Sequence, residues 1–493
     1  MDRSSRFSRT STFATGGWHT VARSSQALAL LPVSLLLLLI SACGEAEPPT
    51  VEAAAAAPAQ SQEAFAFVDV TVIPMDREHV LPGYTVVTSN GRISAMGPGD
   101  EVDVPQGAER IDGAGRYLMP GLAEMHAHIP GSGDRRWAED VLFLYVSNGV
   151  TTIRGMAGSP LHLELRDQTA DGELIGPTIY AAAPGISGNN APTPEDAGRA
   201  VRERANAGYD LLKVFGMPVE SYERMAQTAH EVGIPFAGHV PEEVGLVGAL
   251  EAGQASIDHF DRYVEFLAPG YRDMPDREAG FFGSGVVDIA DTDRIPEAVE
   301  RTLAAGTWNV PTLSLVEHLA SPEQAGQMIR RPEMRYMPPD VLDDWVDAKA
   351  EFRARPDFQP EAAERLVEIR RQLTKALHDA GAPIALGSDA PQFFNVPGFS
   401  IHHEMAMMVA AGLSPYEVLV TGTRNPAAYF GTPEEFGTVA VGRRADLILL
   451  EANPLEDVGN VKRRAGVMVL GRWLPEVEIA ERLERIASKV SQQ

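Results

Sequence analysis

Leu118-Met119-Pro120-Gly121-Leu122-Ala123-Glu124-Met125-His126-Ala127-His128 is the stretch on which the fold reading turns. A short apolar run ends in two imidazoles separated by one residue. Successive side chains of a strand alternate between faces, so His126 and His128 point the same way. Outward from this stretch the apolar run recurs at Val150–Ile153, Thr178–Ala182, Leu211–Phe215, Ile234–Gly238, Ala255–Ile257, Trp308–Leu313 and Pro383–Gly387. Most of these runs are separated by residues with helical spacing, such as Glu220 to Val232. Strand alternating with helix predicts parallel β-structure with crossover helices, and eight such units predict a closed (β/α)8 TIM barrel, an α/β fold. The connection from the seventh run to the eighth, about residues 314–382, is long, charged and helical in spacing, and is expected to form a lid.

In a parallel barrel the chemistry sits at the C-terminal ends of the strands. There the sequence places His126 and His128 after the first run, His239 after the fifth, His259 after the sixth and Ser388-Asp389 after the eighth. Imidazole and carboxylate are ligand types that zinc and similar ions take. The fourth run carries Lys213 in its middle, where a charged ammonium is costly to bury. Burial lowers a lysine's pKa, and a neutral amine can react with CO2 to give a carbamate, an anion able to bridge two ions.

Met119-Pro120-Gly121-Leu122 leading into His126-x-His128, followed in order by Lys213, His239, His259 and Asp389, resembles the amidohydrolase superfamily. The similarity is greatest to its imidazolonepropionase-related branch, which also contains metal-dependent prolidases and aryl-peptide hydrolases. It extends over Leu413-Ser414-Pro415, Thr423-x-Asn425-Pro426-Ala427, Gly442-x-x-Ala445-Asp446-Leu447 and Asn453-Pro454-Leu455. The resemblance implies two divalent metal ions, expected as zinc. His126, His128 and Asp389 would hold one, His239 and His259 the other, with carbamylated Lys213 and a hydroxide between them. It implies hydrolysis of an amide or peptide-like bond in a small molecule, with Asp389 as general acid and base. The segment Pro184–Asn190 departs from the pattern, since many relatives carry a histidine there.

From Phe65 onward, β-rich segments lie at opposite ends of the chain: Ala66–Ile73, Tyr84–Thr88 and Arg92–Met96 on one side, Ala445–Leu450 and Gly466–Leu470 on the other. Paired, they make a composite β-sandwich domain. The expected divisions are a signal at 1–43, a tether at 44–64, sandwich parts at 65–118 and 433–475, the barrel at 119–432 and a polar C-terminal helix at 476–493. The signal has basic residues Arg3, Arg6, Arg9 and Arg23, an apolar run from Ala27 to Ile40, and Ser41-Ala42-Cys43-Gly44. That ending resembles a bacterial lipoprotein signal, in which the cysteine is lipidated. Cys43 is also the only cysteine, so neither an internal disulfide nor a thiolate metal site can form. The expected location is the bacterial cell envelope, with the protein held to the membrane through lipidated Cys43 on the periplasmic face of the outer membrane.

A net charge of −26 over 493 residues excludes nucleic-acid binding through a basic face. Arg154, Tyr263 and His403 stand where they could meet a substrate's polar groups. For Arg154 and Tyr263 an ion pair or core packing competes with that reading, and for His403 an interfacial or packing role does. The residues also admit a mononuclear enzyme opening a cyclic amide, a lactonase or esterase, or an inactive surface-binding protein. They leave a homo-oligomer open.

Overall fold

The computed structural model describes residues 64–131, 133–274, 278–355 and 358–492. The signal, Cys43 and residues 44–63 of the tether lie outside the described residues. Ala64, the last residue assigned to the tether, already belongs to a strand.

Residues from both chain ends build one eight-stranded sheet. Its order is Arg472–Pro475, Arg464–Val469, Leu447–Leu450, Tyr117–Pro120, Ala64–Val72, Leu81–Ser89 and Arg92–Pro98, with Glu109–Asp112 pairing off Ala64–Val72. The hairpin from Leu81–Ser89 to Arg92–Pro98 turns at Asn90 and Gly91, both at positive φ, as an Asn-Gly turn requires. The seam between the ends is the antiparallel pairing of Tyr117–Pro120 with Leu447–Leu450. Phe67, Val70, Val86, Leu118, Leu447, Leu449 and Met468 bury one apolar cluster against this sheet.

The middle of the chain alternates strand and helix. Leu122–Ala127, Val150–Gly155 and Thr178–Ala181 form a parallel sheet of three, and Leu212–Val214, Phe236–Gly238, Ser256–Asp258 and Trp308–Val310 a parallel sheet of four. Parallel bridges Ala182–Leu211, Asn309–Ile384 and Ala127–Ala390 join neighbouring segments. Met125 N donates to Leu386 O and His128 N to Ala390 O, both at 2.8 Å, so the eighth apolar segment bonds back to the first. That eighth run, Pro383–Gly387, carries only an isolated bridge at Ile384, not a strand ladder. Helices Arg135–Ser147, Pro160–Ala170, Pro194–Asn206, Val219–Val232, Gly245–Glu251 and Ile295–Ala305 fill the connections. The connection expected to form a lid carries helices Leu313–Ala320, Ala325–Met328, Pro339–Ala354 and Pro360–Asp379.

One boundary and the character of one helix differ from the sequence reading. The run Leu118–Met125 is two strands in two sheets, so the division expected at 118/119 falls inside Tyr117–Pro120. The chain changes sheets at Gly121, where a Cβ would stand 2.1 Å from Thr151 Oγ1. The C-terminal helix Glu476–Val490 is amphipathic, not polar all round. Ile479, Leu483 and Ile486 bury against Phe143, Val146 and Val467, because their spacing lays them on one helix face. Gly121→Ala should overpack this crossing and cost about 1–3 kcal/mol, read as a lowered midpoint in chemical unfolding. An unchanged midpoint would show that the crossing can relax.

Candidate metal centre

Four histidines stand in a row at one end of the parallel segments. Ring centroids are 5.3 Å apart for His126 and His128, 4.4 Å for His126 and His259, and 4.8 Å for His239 and His259. Asp389 Oδ1 lies 2.8 Å from His128 Nε2 and 3.5 Å from His126 Nε2, while its Oδ2 lies 3.6 Å from His259 Nδ1. Lys213 Nζ is 3.2 Å from His126 Nε2. The ligand atoms of His126, His128 and Asp389 all fall within 4.8 Å of one another, close enough to hold one metal ion. His239, His259 and Lys213 flank that triad.

Local structure explains the placement. His126 and His128 alternate with Ala127 at the end of their strand. Lys213 is the middle residue of Leu212–Val214 and is 1% exposed. Its side chain passes Gly238 on the neighbouring strand, where a Cβ would come within 2.7 Å of Lys213 Cδ. His239 and His259 directly follow Phe236–Gly238 and Ser256–Asp258. His259, Thr312 and Asp389 all have positive φ, at 62°, 47° and 64°. Left-handed backbone in three non-glycine residues is costly and clusters where function demands it.

The buried surroundings orient the rings. His239 Nδ1 lies 2.9 Å from Asp261 Oδ2, and His259 Nδ1 lies 2.9 Å from Thr312 Oγ1. His126 Nδ1 is 2.8 Å from Asp258 Oδ2, off the line of a full hydrogen bond. With Nδ1 hydrogen-bonded, His239 and His259 have their Nε2 left to ligate. His259 Nε2 is buried without a hydrogen-bond partner, a loss that a bound cation would make good. Burial, reinforced by neighbouring histidines and Lys213, holds His126 and His259 well below the ordinary imidazole range. They are therefore neutral, the form a metal takes. Burial also lowers Lys213, against the opposing pull of Asp258 and Asp389. Among the described residues no carboxylate oxygen lies within 4.0 Å of its Nζ, so the plain ion pair that could explain a buried lysine is not formed. The donor set thus fits a divalent ion.

Three residues expected at the substrate are held by partners within the protein. Arg154 has no exposed surface: Nη2 donates to both oxygens of Asp258 at 2.9 and 3.0 Å, Nε to Met125 O, and Nη1 to Ser256 Oγ and Tyr429 Oη. It is spent on a buried ion pair because its strand position points inward among the other strands. Tyr263 is fully buried, with Oη 2.7 Å from Thr302 Oγ1 on helix Ile295–Ala305, and packs in the helical layer. His403 lies beside Glu333 at 3.5 Å and His318 at 5.5 Å between ring centroids, so it belongs to the contacts of the 314–382 connection.

The supporting residues Asp258, Asp261, Thr312, Gln392 and Tyr145 were not singled out from sequence. Gln392 Nε2 donates to Asp389 Oδ1 at 2.8 Å, and Tyr145 Oη to Ala390 O at 2.7 Å. The one sequence signal for them is proximity, since Asp258-His259-x-Asp261 carries both carboxylates beside a ligand.

The sequence pattern of the amidohydrolase family matches residues 117–474. An imidazolonepropionase of Rubrobacter xylanophilus is 26% identical over 385 residues, covering 75% of this chain and 84% of that protein. An adenine deaminase of the same organism is 24% identical over 423 residues, covering 83% of this chain but 58% of the deaminase. Among solved structures, a bottromycin amidohydrolase aligns with a TM-score of 0.65 at 23% identity over 87% of this chain and 90% of its own. A Xaa-Pro dipeptidase with bound methionine aligns with a TM-score of 0.61 at 19% identity over 84% of this chain and 100% of its own. At these identities the two structures show a shared fold.

Arg154→Met would leave the Asp258 carboxylate buried without its counter-charge and should cost about 3–5 kcal/mol in urea unfolding. A loss below about 1 kcal/mol would show the pair to be dispensable. Glu404 is fully buried and accepts from Leu313 N and Ser314 N at 2.8 and 2.7 Å, just past the Thr312 that holds His259. Burial pushes it from 4.5 up to about 7. A raised acid holds its proton more tightly folded than unfolded. Its contribution is therefore complete below about pH 4.5 and lost as the pH passes about 7. Unfolding free energies measured across that window should fall less in Glu404→Gln than in wild type, by about 3 kcal/mol at most. Equal slopes would contradict this.

Proposed function

The chain belongs to the amidohydrolase family, and on that premise we propose that it hydrolyses the amide or peptide-like C–N bond of a small molecule with divalent metal ions held in its row of histidines. The observation that carries this reading is the row itself: four imidazoles with neighbouring ring centroids 4.4–5.3 Å apart, His239 and His259 held at Nδ1 by Asp261 and Thr312, beside Asp389 and Lys213. We read the hydrogen-bonded ring of parallel segments as a closed (β/α)8 barrel and the sheet from both chain ends as a composite β-sandwich. All the ligand candidates then lie at the barrel's C-terminal mouth, the place where such barrels do chemistry.

In this reading His126, His128 and Asp389 would hold one ion. His239 and His259 would hold the second, with Lys213 as a carbamate between them; zinc suits the donor types. Bound there, the ions supply Lewis acidity for the scissile carbonyl and make hydroxide available near neutral pH. Asp389 accepts the proton of the attacking water and passes it to the leaving nitrogen, so amide and water become carboxylate and amine. Asp258, Asp261 and Thr312 keep the rings from turning, and Gln392 keeps Asp389 aimed. A second reading, one ion and a cyclic amide substrate, is favoured by the compactness of the His126, His128 and Asp389 triad and by the imidazolonepropionase relatives.

Elemental analysis should find two ions per chain in wild type and loss of the pair in Lys213→Ala. One ion in both proteins would select the second reading, and none in folded wild type would overturn both. On a panel of dipeptides and N-acyl amino acids, Asp389→Asn should lower kcat by about 10²–10⁴-fold.

A further inference from the structure

Aromatic side chains stand beside the histidine row. The Phe282 ring lies 5.3 Å from that of His259 at an interplanar angle of 35°. Phe281 lies 4.1 Å from Phe282 and 6.2 Å from Phe393, centroid to centroid. Phe393 directly follows Gln392, the residue that holds Asp389. Phe282, Phe281 and Phe393 therefore make a continuous apolar strip from the His259 side of the row to the Asp389 side. Phe352, on lid helix Pro339–Ala354, backs the strip at 6.0 Å from Phe281.

None of the three rings in the strip is fully buried. Phe282 and Phe393 also sit at φ 52° and 45°, a left-handed conformation that bulky residues rarely adopt. Gly280 and Gly283 flank the Phe281–Phe282 pair at φ 70° and 82°, and a Cβ on Gly283 would stand 2.5 Å from Val264 Cβ. Phe282 packs in part against the core with Arg370 over its ring at 5.7 Å, while Phe281 and Phe393 keep partly exposed rings beside a polar site, apolar surface that a ligand covering them would bury. The two buried guanidiniums nearby already hold partners within the protein. Arg154 is engaged by Asp258, and Arg370 donates to His259 O and Pro311 O at 2.5 and 2.6 Å.

We infer that the site takes substrates bearing an aromatic or bulky apolar group next to the scissile carbonyl, with Phe281, Phe282 and Phe393 determining that specificity. The inference rests on the hydrolase reading above.

The metal-loaded protein is offered pairs of small amides that differ only in a benzyl or a methyl group beside the scissile carbonyl. The benzyl member should have the higher kcat/KM by about tenfold or more. Phe281→Ala should bring the pair to within about threefold, chiefly by raising KM for the benzyl member, and Phe281→Leu should keep part of the preference. If Phe281→Ala does not fold, Phe393→Ala reads the same strip. Calorimetry with the matching benzyl and methyl hydroxamates measures the preference without turnover. Equal kcat/KM within the pairs, or a preference untouched by the variants, would overturn the inference and leave the hydrolase reading intact. A benzyl preference in hydroxamate binding with no hydrolysis of any amide would overturn the hydrolase reading and uphold the aromatic strip.

Discussion

A carboxylate with no exposed surface must be paired and hydrogen-bonded if it is to stay charged. Asp258 meets that demand through a two-oxygen contact with Arg154 and a hydrogen bond from Ser256 Oγ, and it lies against His126 Nδ1. The pair joins strand Val150–Gly155 to strand Ser256–Asp258 through the interior, and Arg154 also reaches the carbonyl of Met125 and the hydroxyl of Tyr429. One ion pair thus sets a carboxylate against His126 and ties three segments of the parallel layer together. Its worth lies in specifying one arrangement, since isolated burial of the two charges would be unfavourable.

From that anchor the rest of the site follows by contact. His126 sets the position of Asp389, whose amide bonds back to His126 O at 3.0 Å. Asp389, His259 and Thr312 accept left-handed backbone, and Thr312 passes the constraint to helix Leu313–Ala320, whose first amides Glu404 caps. Rings held at Nδ1 by fixed partners are prepared to ligate without reorganising.

Much of this was legible in sequence where spacing alone carries the information. His126-x-His128, the lysine inside an apolar strand and the histidines after successive strands follow from the two-residue period of β-structure. The Asn90-Gly91 turn follows from the φ values it needs. What spacing does not encode is which side chains meet across the interior. Arg154 looked like a substrate contact because its partner Asp258 is 104 residues away. The change of sheet at Gly121 was hidden because both strands flanking it are apolar. The eighth segment's lack of a strand ladder was equally invisible, and the buried stripe of Glu476–Val490 was masked by its many charges.

The account stands on the claim that the histidine row binds metal through Nε2. The most direct test is a crystal structure of the metal-loaded protein with anomalous scattering recorded at the metal's absorption edge. The account predicts density about 2.0–2.1 Å from Nε2 of both His126 and His128, with Asp389 completing the contact. Density bonded to Nδ1, or none within reach of these rings in fully loaded protein, would contradict it.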